Sequence, residues 1–355
     1  MLNITVNASR KYDVVIGDGL MESAGRMVRG VSAARKVCVI CDTTTRDLFS
    51  ETVIGSLAGA GFDTHLLIFA PGEQTKSMSN LSRILEYLAD RHFTRTDLLV
   101  ALGGGVIGDL TGFAAACYLR GINFVQMPTT LLSAVDASVG GKTAVNLKAG
   151  KNLAGAFHQP AIVLFDTNAM ESLPEEQFKE GLSEIIKCGV IGDKDLFEYV
   201  AYKEAPRIND FVEMTAERAI IVKRDLVEQD EYDVGPRKLL NFGHTMGHAV
   251  ELCSGYEIPH GHAVAMGMLA ACKASYRMGW SNEDCTIPVW QTLERYGIDP
   301  KCPFDADELA SAALKDKKRS GTKISLVVPL QIGEGALMDI DVEELPEFFR
   351  LGLEG

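Results

Sequence analysis

The first half of the chain alternates short apolar runs with amphipathic stretches, and this restricts the fold more than any other feature. Lys36–Cys41, His65–Phe69, Leu98–Leu102, Asn123–Met127 and Ile162–Phe165 read as buried strands, with helices expected at Ser79–Asp90 and Leu110–Leu119. Strand and helix in turn predict a mostly parallel sheet with helices on its faces. After Ser172-Leu-Pro-Glu-Glu176 the strand pattern nearly stops. Helical patterns follow at Glu176–Cys188, Phe211–Gln229, Leu239–Leu252 and His262–Met278, with one late strand at Lys323–Val328. A chain of 355 residues is too long for one ordinary core. It therefore reads as two domains, an α/β domain over 1–175 and a mainly α-helical one over 176–355.

The bulk chemistry narrows the partners. The formal charge of −13 argues against nucleic acid, whose phosphates require basic surfaces. It leaves room for a small anion at a locally cationic site. Apolar runs fall short of the ~20 residues of a membrane span, and the first residues lack the apolar core of a signal peptide. A cytoplasmic location is the simplest expectation. Cys38 and Cys41 form a CxxC within an expected strand, where residues three apart face opposite ways. Reduced core thiols are expected for them rather than a chelate or disulfide.

Four of the seven histidines, His244, His248, His260 and His262, fall within 19 positions. His244 and His248 are four apart in an expected helix, which puts both imidazoles on one face, as a divalent metal or an anion requires. Spacing alone pairs these two as ligands, with a third histidine completing the cluster if the chain folds back. Gly103-Gly104-Gly105-Val106-Ile107-Gly108 follows a strand and satisfies GxGxxG, which suits a pyrophosphate at a helix N-terminus. The acidic residue usual about 20 positions on is missing, so a tight glycine turn has comparable weight. Gly140-Gly141-Lys142-Thr143 looks like the end of a P-loop, but Asp136 stands where its first glycine belongs. What survives is a cationic, glycine-flanked segment in which Lys142 and Lys151-Asn152 suit anion contacts, whereas Lys148 suits solvent. Glu184 and Lys187, three apart, read by themselves as a surface ion pair.

As a set these residues resemble the 3-dehydroquinate synthase family. The matching segments are Pro71–Lys76, Gly103–Asp109, Gln126–Thr130, Asp136–Thr143, Lys151-Asn152, Glu184–Lys187, Arg237–Glu251 and His260-Gly261, in family order and spacing. The resemblance implies a Rossmann-like NAD-binding domain followed by a helical metal-binding domain. It implies a Zn²⁺ or Co²⁺ ion held by Glu184, His244 and His260, a catalytic zinc pattern, which makes His248 a site residue near the leaving phosphate and not a ligand. It implies NAD contacts at Asp42, Glu73, Lys76, Gly104, Gly105, Asp109, Thr129 and Thr130, with Lys142 and Lys151 beside them. Its substrate contacts fall on Asp136, Lys142, Lys151, Asn152, Lys187, Lys223, Arg237, Asn241 and Lys317. The implied substrate is a small anionic sugar-acid phosphate, 3-deoxy-D-arabino-heptulosonate 7-phosphate. The implied reaction is transient oxidation by NAD, phosphate elimination, re-reduction and intramolecular aldol closure. A homodimer is also implied, with Arg120 reaching the neighbouring subunit's phosphate site; from the residues alone, Arg120 reads as a C-terminal helix cap. His262 departs from the family, which often has Glu there, and this bears on metal preference, not on the reaction. A related sugar-phosphate cyclase, an iron-type NAD-dependent alcohol dehydrogenase and a nucleotide-binding regulatory module are the competing readings.

Overall fold

Nearly every residue of Leu98–Gly103 and Ile162–Asp166 is shielded on both faces, as strands must be when helices cover a parallel sheet on both sides. The computed structural model describes residues 1–202, 208–316 and 322–354. The chain divides into two units, one of Met1–Pro174 with the start of the Ile208–Gln229 helix, the other of the remainder.

In the first unit the strands are β1 (Leu2–Asn7), β2 (Lys11–Gly17), β3 (Lys36–Asp42), β4 (Asp63–Phe69), β5 (Leu98–Gly103), β6 (Asn123–Pro128), β7 (Lys142–Leu147), β8 (Gly150–Phe157) and β9 (Ile162–Asp166). Seven form one sheet in the order β1-β2-β9-β6-β5-β3-β4, all parallel except β1 on β2. After β3 the chain runs outward to β4, then returns to lay β5 on the other side of β3. Strand order thus reverses between β3 and β5, the position at which doubly wound sheets open a crevice at their carboxyl ends.

The strands expected in this unit all occur, each within one or two residues of its expected bounds, and both CxxC thiols are buried in β3 as free cysteines. One expectation in this unit needs correction. The helix after β5 runs Gly105–Cys117, not Leu110–Leu119, so the glycines form its first turn. It stops early because Leu119 and Arg120 take left-handed φ of 49° and 68° before Gly121 at 122°. The N-terminal hairpin β1–β2 and the separate β7–β8 hairpin carried no expectation.

The second unit is mostly helical. The Glu175–Gly192 helix begins with Glu175 and Glu176 in its first turn, where carboxylates favour the positive end of the helix dipole. The expected Leu239–Leu252 helix is split. Pro236–Asn241 is a 3₁₀ turn, Gly243 sits at φ 77°, and the α-helix starts only at His244 and ends at Cys253. Pro259 in extended backbone then starts the His260–Arg277 helix. The late strand is one arm of a hairpin, β10 (Lys323–Gln331) with β11 (Glu334–Asp341).

Candidate functional sites

In the first unit, the residues expected to contact NAD collect where the parallel strands end. Asp42 closes β3, Glu73 and Lys76 follow β4, Gly104 and Gly105 follow β5, and Thr129 and Thr130 follow β6. Asp42 caps the turn after its strand through its carboxylate and the Thr45 N–H, 2.9 Å apart. The Thr129 N–H donates to the Gly103 carbonyl at 3.1 Å, tying the ends of β5 and β6 together. Gly104 has little room for a side chain, since a Cβ there would lie 3.1 Å from Thr130 Cγ2.

Lys76 knits this end of the sheet. Only 5% of the residue is exposed, and its Nζ donates to Asp109 Oδ2 at 2.6 Å and to Asn152 Oδ1 at 2.5 Å. Burial pushes the Asp109 carboxyl up, and the Lys76 ammonium opposes that push. Asn146 extends the network and went unnoticed in the sequence. Its Nδ2 donates to Glu73 Oε1 at 2.7 Å, and its Oδ1 accepts the Asn152 N–H at 2.8 Å. The chain at Asn146 also pairs with the Lys76 carbonyl at 2.9 Å. Nothing in its strand, Lys-Thr-Ala-Val-Asn-Leu, singles it out. Asn152 takes a left-handed φ of 57°. Lys142 and Lys151 are less close than their sequence neighbourhood suggests. Lys142 pairs with Phe157 at the open end of the β7–β8 hairpin, whereas Lys151 adjoins the turn. At strand rise that puts their backbones roughly 15 Å apart. Lys142 opens a strand rather than a helix, which disposes of the P-loop. Lys148 is exposed, as expected. Asp136 is half-buried in the π-helical turn Ser133–Ala137, and Arg120 is exposed.

In the second unit, three helices converge on Glu184, His244 and His260. The Nε2 atoms of both histidines lie 3.7 Å from Glu184 Oε1. That oxygen is buried and has no hydrogen-bond partner. The three donor atoms lie within 4.8 Å of one another, and such a set fits a divalent metal. The other Glu184 oxygen accepts from Lys187 Nζ. Both side chains are almost fully buried, 1% and 2% exposed, so the expectation of a surface pair is wrong. Removing either partner would strand a buried charge, a change that costs roughly 3–5 kcal/mol.

The His244 imidazole is pushed well below the usual histidine range, first by burial and then by the Lys187 ammonium and the neighbouring His260 and His248. It is therefore held neutral, as a metal ligand must be. Its Nδ1 lies 3.1 Å from the Phe242 carbonyl, which accepts that ring N–H and leaves Nε2 to face Glu184. His248, one turn on, has its ring centroid 5.4 Å from that of His244 and 6.1 Å from that of His260. It also forms an overlapping ligand-type set with Glu251 and His260, so His260 belongs to both sets and His244 only to the one with Glu184. His262 Nε2 lies 3.4 Å from Glu176 Oε2, away from the three-donor set.

Close backbone contacts hold the helices at this range. A Cβ on Gly267 would fall 1.9 Å from the Gly243 carbonyl oxygen, and one on Gly261 would fall 2.4 Å from the Glu180 Cα. Arg237 is 2% exposed. Its turn is shaped by the Asp230 carboxylate, which accepts the Gly235 N–H at 2.6 Å and the Arg237 N–H at 3.3 Å. Lys223 is 5% exposed on the Ile208–Gln229 helix, and Asn241 ends the 3₁₀ turn that carries Arg237. Lys317 lies outside the described residues. Among the described residues, no helix is long and apolar enough to cross a membrane.

The family model for the N-terminal part of 3-dehydroquinate synthase matches residues 66–180, and that for its C-terminal part matches residues 181–319. A curated 3-dehydroquinate synthase of Enterococcus faecalis is 39% identical, with 96% of each chain covered. One of Caulobacter vibrioides is 40% identical over 96% of this chain and 95% of its own. Among solved structures, 2-deoxy-scyllo-inosose synthase complexed with carbaglucose-6-phosphate, NAD+ and Co2+ aligns at a TM-score of 0.87 and 26% identity, covering 98% of this chain and 99% of its own. The 2-epi-5-epi-valiolone synthase of Streptomyces hygroscopicus, with NAD+ and Zn2+ bound, aligns at 0.85 and 25% identity over 98% of either chain. A butanol dehydrogenase of Thermotoga maritima, 14% identical with a TM-score of 0.65 and 96% of each chain covered, shares the fold alone. With both halves matched in tandem and near-full-length relatives at about two residues in five, the chain belongs to the 3-dehydroquinate synthase family.

Proposed function

We propose that the protein converts 3-deoxy-D-arabino-heptulosonate 7-phosphate to 3-dehydroquinate and phosphate, a step toward chorismate and the aromatic amino acids in the shikimate pathway. The tandem family match carries this reading, because it separates the chain from dehydrogenases of the same fold. NAD and a Zn²⁺ or Co²⁺ ion are the proposed cofactors, as in the two cyclase structures. When bound, they supply a reversible hydride acceptor and a Lewis acid that lowers a hydroxyl pKa.

The protein's own part is to bind and orient. Glu184, His244 and His260 would hold the ion. Asp42, Glu73, Lys76, Gly104, Gly105, Asp109, Thr129 and Thr130 would hold NAD at the carboxyl ends of the strands. Buried Arg237, Lys187 and Lys223, with Lys142, Lys151, Asn152, Asp136, Asn241 and Lys317, would bind the substrate's carboxylate, hydroxyls and phosphate. A guanidinium suits the carboxylate because it offers paired, parallel donors. His248 would stand beside the leaving phosphate. The proposed active unit is a homodimer in which Arg120 serves the other subunit's phosphate site.

The test is turnover of the heptulosonate phosphate with phosphate and NADH followed together. Phosphate should appear with no lasting gain in NADH absorbance. Chelation should abolish release, and Zn²⁺ or Co²⁺ should restore it. Stoichiometric NADH accumulation would mean a dehydrogenase. Phosphate release from a hexose 6-phosphate, but not from the heptulosonate, would mean a cyclase for substrates without a carboxylate.

A further inference from the structure

Glu251 lies two turns along the helix that begins with His244, and it is 7% exposed. Its Oε2 is 3.3 Å from His260 Nδ1, the ring nitrogen opposite the one that faces Glu184. Sequence reading passed over it, because a Glu seven residues beyond His244 on an amphipathic pattern looks like any other helix carboxylate.

We propose that Glu251 is a positioning residue for the metal, a role that rests on the metal reading above. An ionised carboxylate only accepts hydrogen bonds, so the bond to Glu251 puts the His260 proton on Nδ1. The lone pair is then on Nε2, on the Glu184 side. His244 is fixed in the same sense by a different group, the Phe242 carbonyl. One ligand is thus oriented by a neutral acceptor on the backbone and the other by a charged side chain. The two bonds differ in chemistry. A carboxylate raises the basicity of the imidazole it holds and strengthens its bond to a cation, which a carbonyl does less well. The same carboxylate also belongs to the overlapping set with His248. While it holds the His260 N–H, that set is closed to a second ion, and the bond selects which of two adjacent triads binds metal.

The test compares the wild type with Glu251→Ala, Glu251→Gln and Glu251→Asp. Zn²⁺ and Co²⁺ affinity are measured by competition with a chromophoric chelator, and the Co²⁺ ligand-field spectrum is recorded. The tautomer of His260 is read from long-range ¹H–¹⁵N spectra of the metal-free protein. Glu251→Ala should bind about 10–100-fold more weakly, with an altered Co²⁺ spectrum and a His260 that no longer holds its proton on Nδ1. Glu251→Gln keeps the shape and a neutral acceptor, so it should lose less, and Glu251→Asp should recover part of the affinity. Melting of the metal-free proteins reports on folding separately, and Glu251→Gln provides the comparison if Glu251→Ala does not fold. Unchanged affinity and an unchanged Co²⁺ spectrum in both the Ala and Gln variants would overturn the role. So would two bound ions in the wild type falling to one in Glu251→Ala with the tighter constant untouched, since Glu251 would then be a ligand of a second site. If the wild type bound neither ion, the metal reading itself would fail, a result distinct from both.

Discussion

His244 and His248 share one helix face with ring centroids 5.4 Å apart, yet the proposed site gives them different work. Of the two, it is His244 that has its Nε2 near the partnerless Glu184 oxygen, at 3.7 Å. His244→Ala should therefore lose bound metal altogether. His248→Ala should keep it near one ion per chain while its rate falls by about 10²–10⁴, the range for loss of an acid–base group. Elemental analysis alongside turnover decides the matter; equal metal loss in both variants would show that the wrong imidazole was assigned. Spacing alone pairs these two histidines, because it registers neighbours on a helix and not what folds against them. The same blindness made Glu184–Lys187 look like a surface pair. Three-residue spacing is the same for a solvated and a buried face, and only the tertiary fold shows which one it is. Glu251 and Asn146 were illegible for a related reason, since each acts by meeting a side chain from a separate segment.

At the scale of elements, β3, β5 and β9 were plain in the sequence because burial on both faces makes them continuous apolar runs. β1 was not, as an edge strand that buries only Ile4 and Val6. β8 was hidden by small and polar residues that suit strands poorly, Gly-Lys-Asn-Leu-Ala-Gly-Ala-Phe. The joint between the Glu175–Gly192 and Lys194–Tyr202 helices gives a test of how elements are fastened. Arg218, from the Ile208–Gln229 helix, grips Asp193 with bonds of 2.8 and 2.6 Å, and the Leu196 N–H adds a third at 3.0 Å. Burial pushes the Asp193 carboxyl up, but these donors outweigh it and hold it below the usual carboxylate range. A depressed folded-state pKa contributes stability above the unfolded value of about 3.9 and loses it as pH falls through the folded value. Asp193→Asn should cost about 1 kcal/mol at neutral pH, a figure kept low because the pair is partly solvated. In denaturant titrations the gap between the two proteins should close below about pH 4. A gap that persists unchanged into acid would assign the effect to packing instead.

For the whole molecule, the shape of the Tyr118–Gly121 corner bears on the proposed dimer. Left-handed backbone at two consecutive side-chain-bearing residues costs of order 1–3 kcal/mol each, more than a simple helix cap requires. Arg120 is exposed at this corner. Heterodimers of Arg120→Ala and His248→Ala subunits, each parent nearly inactive, should recover activity at the one site with both residues intact. Heterodimers as inactive as their parents would return Arg120 to its own subunit. The tight glycine contacts between the helices that carry Glu184, His244 and His260 have a consequence for how this enzyme can vary over generations. A methyl on Gly267 or Gly261 touches no donor atom, yet it would pry apart the helices that set a spacing of a few ångströms. Many of the changes most damaging to the site therefore lie outside it. A lineage could repaint much of the surface and exchange residues near the substrate, while these glycines allow almost no drift. Inherited tolerance in this molecule is set by where backbones meet as much as by where chemistry happens.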